Sequence, residues 1–322
     1  MKLKLVMMPP QADLSRKWAA RLQRELPGYV VVVPESDEDA RREIADADAA
    51  YGWVPPEALP DAKKLRWLQN PFAGPFPNYY YPELIAHPVM VTNPRGIYSD
   101  HIAHHIMTFV LSLARGMPDY LEAQRQRRWD KNARRHPYIY LAEATALIVG
   151  VGGIGAETAR LCRAFGMTVL GVDPRPEHAV RDVEIYPIVA LDRLLPSADF
   201  VIVTTPHTPE TEGMWNAKRF AQMKRTGHFI NIGRGKTTRL DDLADALEKG
   251  VIAGCGLDVY EVEPLPADHR LWTLPNVLLT PHIAVRDAEN VPERRFQILL
   301  DNARRFAAGE PLHNQVDKAA WF

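Results

Sequence analysis

The stretch TALIVGVGGIGAETARLCRAFGMTVLGVD, residues 145–173, decides the fold of the second half of the chain. It opens with an apolar run, TALIV, that predicts a buried strand. Gly150, Gly152 and Gly155 follow at G-x-G-x-x-G spacing and lead into AETARLCRAFG, which predicts a helix. A second strand then ends at Asp173. This order of strand, glycine turn, helix, strand and acid is typical of a βαβ unit in a parallel sheet.

The glycines and the acid together predict a dinucleotide site. The first glycine permits a tight turn, the second lets the backbone approach a pyrophosphate, and the third allows the helix to pack closely on the strand. Asp173 follows at the distance where a carboxylate accepts hydrogen bonds from ribose hydroxyls. Such a carboxylate would repel a 2′-phosphate, which favours NAD over NADP, although Arg175 would partly neutralise that phosphate. A tight turn with a capping aspartate is the alternative interpretation.

Length and composition limit the classes of protein to consider. The 322 residues exceed what one compact core usually holds, so we expect two domains. A net charge of −1 argues against a nucleic-acid partner, which needs a basic surface. No run of about 18 apolar residues and no signal-peptide pattern is present, so we expect a soluble cytoplasmic protein without a membrane partner. Cys162 and Cys255 are too few for a disulfide framework and are expected as buried free thiols.

Strand and helix patterns alternate in two blocks, which predicts two parallel α/β sheets. The first block contains the strand candidates KLKLVMM, YVVVVP, AAYGWV, LRWLQNP and VMVTNP. The second contains TALIV, MTVLGVD, VEIYPI, DFVIVTTP, GHFINIG, AGCGLDVY and NVLLTPH. The final amphipathic run has no partner strand, so we expect it to return to the first domain. The predicted domains are residues 1–102 with 289–322, and residues 103–288 with an exposed arm at about 116–140.

Charged groups follow three strand ends in the second block. FINIG precedes Arg234, GCGLDVY precedes Glu263 and carries Asp258, and NVLLTP precedes His282. Each has an ordinary explanation, namely a surface charge, a solvated loop acid and a turn residue. Because the carboxyl ends of parallel strands meet at one edge, we expect these groups to lie together where a ligand binds. An arginine, a carboxylate and a histidine are the groups that hydride transfer to a 2-oxo acid requires.

Each group has a defined task in that reaction. Imidazolium donates a proton to the carbonyl oxygen as hydride reaches the carbon. A neighbouring carboxylate favours the charged ring and orients it. A guanidinium holds the substrate carboxylate and polarises the carbonyl. We therefore predict Glu263 and His282 as the acid–base pair, and Arg234 as the catalytic substrate clamp.

At this point the chain resembles the D-isomer-specific 2-hydroxyacid dehydrogenases, including glyoxylate and hydroxypyruvate reductases. Five motifs stand in the family's order: GVGGIG with Asp173, TTPHTPET, INIGRG, GLDVYEVEPLP and LLTPHIA. The resemblance implies an α/β fold with a Rossmann-type nucleotide-binding domain and a flavodoxin-like substrate domain. It also implies NAD-dependent, reversible reduction of a 2-oxo acid to a D-2-hydroxy acid, with Asp258 near the nicotinamide carboxamide. A homodimer formed through the nucleotide domain is implied too, and the arm around Trp129 would suit that contact.

The predicted ligand contacts follow from the motifs and the resemblance together. The cofactor contacts are Gly150, Gly152, Gly153, Ile154, Gly155, Asp173, Thr205, Pro206, Ile232 and Asp258. The substrate contacts are Arg234 and the backbone of Ala73 and Gly74, and no metal is expected. The loop departs from the family pattern, since Pro75 removes a backbone donor and aromatic residues follow. Phe72, Phe76 and residues 79–81 either line a roomy apolar pocket, the preferred interpretation, or pack the loop.

Three further alternatives stay open at this stage. Two of His101, His104 and His105 could share a helix face as metal ligands do, but no third ligand is evident nearby, and interdomain helix packing is preferred. Formate-dehydrogenase-like proteins pair the histidine with glutamine, so Glu263 argues against that reaction, while phosphite oxidation remains. A dinucleotide-sensing protein of the corepressor kind would keep the same residues and show little turnover. The sequence does not identify the preferred 2-oxo acid.

Overall fold

The structure is a computed structural model that describes residues 2–73, 78–175, 180, 183–286 and 288–319. The chain divides into two compact units, Met1–Ile97 with Glu289–Phe322, and Tyr98–Ala288. Each unit is built around one sheet, and the strand pairs described in both sheets are parallel. The predicted α/β fold class is therefore confirmed.

The first unit contains a five-stranded sheet with strand order β2-β1-β3-β4-β5, the flavodoxin-like order. Its strands are β1 Leu3–Met7, β2 Tyr29–Val32, β3 Ala49–Tyr51, β4 Trp67–Gln69 and β5 Met90–Thr92. Its early helices are α1 Asp13–Glu25, α2 Asp37–Ile44 and α3 Pro82–Ala86. These bounds follow the predicted alternation, with shorter strands than the apolar runs suggest.

The second unit contains a seven-stranded sheet with strand order β12-β11-β10-β9-β6-β7-β8. This is the doubly wound Rossmann order with one strand added at the edge. The strands are β6 Thr145–Val149, β7 Thr168–Val172, β8 Glu184–Tyr186, β9 Phe200–Val203, β10 His228–Asn231, β11 Gly254–Leu257 and β12 Val277–Leu279. The helices are α4 Ser99–Ala114, α5 Met117–Arg125, α6 Gly153–Ala164, α7 Leu191–Leu194, α8 Ala217–Phe220 and α9 Leu240–Glu248.

The last helix, α10 Val291–Ala308, packs on the first unit. Phe296 and Leu299 on its apolar face join a buried cluster that includes Trp18 of α1. The Tyr29 hydroxyl, at the start of β2, donates to the carbonyl oxygen of Ala303 (2.6 Å). The C-terminal segment thus completes the core of the unit that the N-terminal residues begin.

The predicted exposed arm, at about residues 116–140, begins with a helix that was not predicted. Gly116 takes a left-handed conformation (φ 63°) that ends α4, and Pro118 lies in the first turn of a second helix, α5. Pro pre-sets the dihedral angle of an initial helical turn, so α5 can begin at once. The remainder of the arm is irregular, and the Trp129 side chain is 92% exposed.

The described residues also bear on three expectations about composition. Cys162 and Cys255 are buried free thiols, as predicted, and burial raises the pKa of Cys162 to about 12. No helix in the described ranges combines the length and apolarity needed to cross a membrane. The same residues contain no group of three or more His, Cys, Asp or Glu side chains arranged to hold a metal ion.

Candidate active site

The glycine turn between β6 and α6 has the geometry that its sequence predicts. Gly150 has a φ of 93°, which L side chains rarely adopt. A Cβ at Gly155 would lie 2.2 Å from the Gly150 carbonyl oxygen, so only glycine lets α6 approach the turn. Gly152 is different, because a Cβ there would meet no protein atom within 4 Å. The protein itself does not require glycine at 152, and the open space beside the α6 N-terminus fits a pyrophosphate.

Asp173 lies directly after β7, next to this turn, and is buried. Its Oδ2 accepts a hydrogen bond from the Val151 backbone N–H (2.8 Å), and its Oδ1 accepts one from the Arg175 N–H (3.0 Å). The Arg175 Nε lies 4.0 Å from Oδ1. The carboxylate is thereby fixed to the glycine turn, in the place where a ribose binds in such a fold.

The segment after β9, at Thr205, contacts the glycine turn and the end of β10. A Cβ at Gly233 would lie 2.4 Å from the Thr205 carbonyl oxygen, and one at Gly150 would lie 3.0 Å from the Thr205 nitrogen. The ends of β6, β9 and β10 therefore meet tightly around this residue. Within the described residues, the buried hydroxyl of Thr205 has no hydrogen-bond partner. A buried polar atom of this kind fits a site where a polar cofactor supplies the missing contact.

The remaining predicted cofactor contacts lie on the same unit. Gly153 is the first residue of α6, and Ile154 packs against the buried cluster beneath the sheet. Ile232 is buried in that cluster, and its backbone N–H donates to Val203 (3.1 Å). Pro206 accepts a hydrogen bond from the Thr211 hydroxyl at its carbonyl (2.8 Å).

Arg234 follows β10 in a segment that the neighbouring loop holds in place. A Cβ at Gly235 would lie 1.8 Å from the Tyr260 carbonyl oxygen, so the two backbones are in direct contact. The Arg234 carbonyl accepts hydrogen bonds from Thr237 Oγ1 (2.7 Å) and Asn231 Nδ2 (3.3 Å). Desolvation lowers the pKa of Arg234 and the Glu263 carboxylate opposes that shift, and arginine remains charged in proteins.

Glu263 and His282 form the hydrogen-bonded pair that the sequence predicts. His282 Nδ1 lies 2.8 Å from Glu263 Oε2. The second carboxylate oxygen, Oε1, accepts from the Tyr260 backbone N–H (3.0 Å), so both oxygens are fixed. The His282 side chain is 50% exposed. With Nδ1 engaged by the carboxylate, Nε2 is the ring nitrogen that can exchange a proton with a ligand.

His282 lies in an unusual backbone conformation. Its φ is 54°, in the left-handed region that costs a non-glycine residue on the order of 1–3 kcal/mol. The His282 N–H donates to the Thr280 carbonyl (3.0 Å), which closes a tight turn immediately after β12. Strain of this kind persists where the surroundings over-determine the conformation, and it concentrates at functional sites.

The Asp258 carboxylate makes several of the hydrogen bonds that hold His282 in this conformation. Its side chain is only 1% exposed, and Oδ1 accepts hydrogen bonds from Thr280 Oγ1 (2.6 Å) and the Ile283 N–H (2.9 Å). Oδ2 accepts from the Ala284 N–H (3.1 Å). The carboxylate thus holds the Thr280 side chain before His282 and the backbone of Ile283 and Ala284 after it. Sequence reasoning assigned Asp258 to the cofactor and missed this function, for which the Asp-to-turn spacing gave no signal.

Two further residues of this network were also missed as site residues. His105 Nε2, on α4, lies 2.9 Å from Thr280 Oγ1 and 3.8 Å from Asp258 Oδ1. The sequence marks His105 only as one of three clustered histidines, and Thr280 only as part of the motif LLTPHIA. The hydrogen bond between them joins positions 175 residues apart in sequence.

The predicted substrate loop lies in the first unit. The Ala73 carbonyl accepts from Asn93 Nδ2 (3.2 Å), whereas Gly74, Pro75 and Phe76 lie outside the described residues. The preferred interpretation of the loop aromatics is wrong for the three tyrosines. Residues 79–81 are buried, and the hydroxyls of Tyr79 and Tyr81 donate to backbone carbonyls of the same unit (2.8 and 2.9 Å). Because all three side chains are buried, and the hydroxyls of Tyr79 and Tyr81 have backbone acceptors, these tyrosines pack the unit and do not line a pocket.

Comparison with known proteins identifies the same region. The family model described as "D-isomer specific 2-hydroxyacid dehydrogenase, NAD binding domain" matches residues 107–284. The chain is 32% identical over 294 residues to a glyoxylate reductase of Korarchaeum cryptofilum, a match that covers 88% of this chain and 87% of the relative. It is 37% identical over 191 residues to the human glyoxylate reductase/hydroxypyruvate reductase, covering 58% of each.

Solved structures agree over the full length. A D-isomer specific 2-hydroxyacid dehydrogenase from Xanthobacter autotrophicus Py2, in complex with NADPH and MES, is 32% identical, with a TM-score of 0.81 and full coverage of both chains. An NADPH-dependent glyoxylate/hydroxypyruvate reductase from Sinorhizobium meliloti, in complex with NADP and sulfate, is 28% identical, with a TM-score of 0.78 and full coverage of both chains.

Proposed function

The chain belongs to the D-isomer specific 2-hydroxyacid dehydrogenase family and is an oxidoreductase, and on that premise we propose that it reduces a small 2-oxo acid to the D-2-hydroxy acid. The observation that carries this assignment is the Glu263–His282 pair, at 2.8 Å, on the edge that also holds Arg234 and the glycine turn. A nicotinamide dinucleotide, when bound, supplies the hydride for this chemistry.

Three residues of the chain carry out the other steps, which are proton transfer, orientation of the histidine ring and binding of the substrate. His282 Nε2 donates the proton that neutralises the developing alkoxide. Glu263 pairs with Nδ1 and fixes the orientation of the ring, which leaves Nε2 for the transfer. Arg234 binds the substrate carboxylate through its guanidinium fork and polarises the carbonyl. In the oxidative direction His282 takes the proton back, so the same pair serves both directions.

We propose glyoxylate and hydroxypyruvate as the substrate class. Two observations support this choice: the similarity to the Korarchaeum cryptofilum glyoxylate reductase and the human glyoxylate reductase/hydroxypyruvate reductase, and the packing of Tyr79 and Tyr81 into the core. Without the tyrosines to widen a pocket, a small side chain on the 2-oxo acid is the better match.

We propose NAD as the physiological cofactor, against NADP. The buried Asp173 carboxylate, fixed by two backbone N–H groups, would repel a 2′-phosphate. The solved relatives from Xanthobacter and Sinorhizobium hold NADPH and NADP, which supports the alternative, and Arg175 is the residue of this chain that would serve it. The ratio of kcat/KM for NADH and NADPH, with one 2-oxo acid, decides between them.

We propose that the chain forms a homodimer through the second unit. Trp129 is 92% exposed and Tyr140 is 70% exposed, and Met117, Leu121 and Tyr138 add further exposed apolar area on the same arm and on α5. Exposed apolar residues in such number mark an interaction surface. Sedimentation velocity over a range of concentrations should give a dimer that Trp129→Ser weakens. A wild-type monomer at every concentration would contradict the proposal.

The reaction itself is tested by absorbance at the reduced-nicotinamide band, with a panel of 2-oxo acids of increasing side-chain size. Wild type should consume NADH fastest with the small acids, and His282→Ala should lose turnover while it still binds NADH. His104→Gln is the matched control, since His104 is an exposed histidine on α4 of the same unit. Binding of NADH without turnover of any acid in wild type would favour the dinucleotide-sensing alternative.

A further inference from the structure

We propose that His105 is a positioning residue for the proton-transfer site, which it controls through the hydroxyl of Thr280. In this inference His105 orients the hydroxyl onto Asp258, and Asp258 in turn holds the turn that carries His282. The inference rests on the proposed function for its kinetic consequence. Its structural part stands on the hydrogen bonds of the second unit alone.

The Thr280 hydroxyl lies between two polar partners, Asp258 and His105, and can donate to only one of them. A hydroxyl has one proton to donate and two lone pairs that accept. Its 2.6 Å contact with Asp258 Oδ1 assigns that proton to the carboxylate, because an ionised carboxylate only accepts. The 2.9 Å contact with His105 Nε2 must then use a hydroxyl lone pair, so His105 donates. The tautomer with the proton on Nε2 is the one that completes this chain.

The second step is the fixed placement of His105 itself. Its ring packs edge-on against Phe109, one turn further along α4, with centroids 4.9 Å apart at 87°. A Cβ at Gly256 would lie 2.6 Å from the Phe109 ring, so glycine at this position lets α4 sit against β11. Desolvation lowers the pKa of His105 while Asp258 opposes the shift, which favours a neutral ring with a single N–H. Because the neutral His105 ring is held in one orientation, the Thr280 hydroxyl has one arrangement, in which it accepts from His105 and donates to Asp258.

The third step connects this arrangement to the turn. Asp258 Oδ1 accepts from both Thr280 and the Ile283 N–H, and Oδ2 accepts from the Ala284 N–H. If the Thr280 hydroxyl rotates away, the buried carboxylate loses its one side-chain donor among the described residues, and its remaining bonds are those to the turn. An under-satisfied buried carboxylate is costly, so the turn and its left-handed His282 would relax together.

The experiment uses paired variants of the full chain. His105→Leu and Thr280→Val remove the chain of hydrogen bonds, whereas His105→Gln keeps a donor and Thr280→Ser keeps a hydroxyl. His104→Leu is the matched control on the exposed face of α4. The readouts are kcat and KM for the 2-oxo acid, NADH affinity by fluorescence, and hydrogen exchange of the Ile283 and Ala284 amides.

We expect His105→Leu and Thr280→Val each to lower kcat by roughly 10-fold or more, on the scale at which loss of a buried hydrogen bond misplaces a catalytic group. NADH affinity should change less than about threefold, and the Ile283 and Ala284 amides should exchange faster. The double variant should lose no more than the worse single one, because both changes break one network. His105→Gln and Thr280→Ser should recover most of the loss.

Two results would overturn the inference. One is wild-type exchange of the Ile283 and Ala284 amides in His105→Leu and Thr280→Val. The other is a loss in His105→Gln as large as in His105→Leu, which would indicate packing alone. If wild type turns over no 2-oxo acid, the proposed reaction fails, yet the exchange measurement still decides the positioning function. Should His105→Leu fold poorly, the nearly isosteric Thr280→Val carries the test.

Discussion

The strands of the seven-stranded sheet begin on one side, the amino edge, and end on the other side, the carboxyl edge. Each side carries a histidine, and the two histidines have opposite environments. At the carboxyl edge, His282 is half exposed, has a left-handed backbone and pairs with Glu263. At the amino edge, His228 begins β10, is buried, and stacks on Phe200 with centroids 5.4 Å apart. The residue type is the same, but the histidine at one strand end is exposed and the one at the other end lies in the core.

The amino edge is closed by contacts within the protein. Asp199 accepts from the Thr145 N–H (2.8 Å) and from Lys224 Nζ (2.7 Å), so its charge is used to join two strands and a loop. At the carboxyl edge the Thr205 hydroxyl lacks a partner among the described residues, and the Gly152 position opens onto space. The buried Nδ1 of His228 at the amino edge also has no hydrogen-bond partner among the described residues. The carboxyl edge differs because its unpaired Thr205 hydroxyl accompanies the open space at Gly152, where a polar ligand could supply the missing contact.

The largest expected effect separates the two histidines by kinetics. His282→Gln should lower kcat by about 10²–10⁴-fold, the usual contribution of a general acid, with the free energy of unfolding little changed. His228→Phe keeps the stacking on Phe200 and should leave kcat unchanged. Steady-state kinetics and urea unfolding of both variants check this. A kcat loss in His228→Phe equal to that in His282→Gln would erase the distinction between the edges.

The second prediction concerns how the free energy of unfolding changes with pH because of the buried His228. Burial lowers the pKa of His228 to about 4, helped by His136 and opposed by Asp199, whereas an unfolded histidine has a pKa of about 6.5. The unfolded chain therefore binds more protons between those values, so His228 makes the folded state lose stability as the pH falls from about 6.5 to 4. The loss should approach about 3 kcal/mol and disappear in His228→Phe.

Urea unfolding at intervals between pH 7 and pH 4 measures that loss. His313→Gln, a substitution in the other unit, is the control for a general effect of histidine number. An identical slope in wild type and His228→Phe over this range would show that His228 titrates normally in the folded state.

The third effect lies within the carboxyl edge and compares two glycines. Gly155→Ala should destabilise the protein by about 1–3 kcal/mol, because the added Cβ would lie 2.2 Å from a backbone oxygen. Gly152→Ala meets no protein atom within 4 Å, so its free energy of unfolding should stay within about 0.5 kcal/mol of wild type. NADH affinity should nevertheless fall in Gly152→Ala. Equal destabilisation by the two changes would contradict the assignment of 152 to the ligand.

The smallest effect concerns the choice of cofactor. Asp173→Asn removes the charge and keeps the shape, so the preference for NADH over NADPH, as a ratio of kcat/KM, should fall by about 10-fold, which is about 1.4 kcal/mol. Arg175→Ala should shift the ratio the other way. If wild type already prefers NADPH, the proposal of NAD is wrong and Arg175 becomes the residue to explain that preference.

The sequence predicted the parts of this edge that local sterics and spacing determine. Gly150 and Gly155 are required by the backbone of the turn itself, and Glu263 and His282 follow strand ends that topology brings together. The prediction failed where a contact depends on three-dimensional packing. The arm was predicted to begin at about residue 116, but the helix α5 within it was not predicted, because its polar sequence shows little apolar periodicity.

The same limit explains the tyrosines and the histidines. Tyr79 and Tyr81 look like pocket residues in a loop sequence, and only the positions of their backbone acceptors reveal that they belong to the core. The sequence favours helix packing over metal binding for His105, and only the meeting of α4 with the end of β12 gives it Thr280 as a partner. Motif spacing does not encode such long-range hydrogen bonds.

The most direct test of the account is the product formed from hydroxypyruvate and NADH. We expect one D-glycerate for each NADH oxidised, and loss of that product in His282→Gln while NADH still binds. Formation of the L enantiomer, or undiminished D-glycerate in His282→Gln, would contradict the assignment of this edge as the site of the reaction.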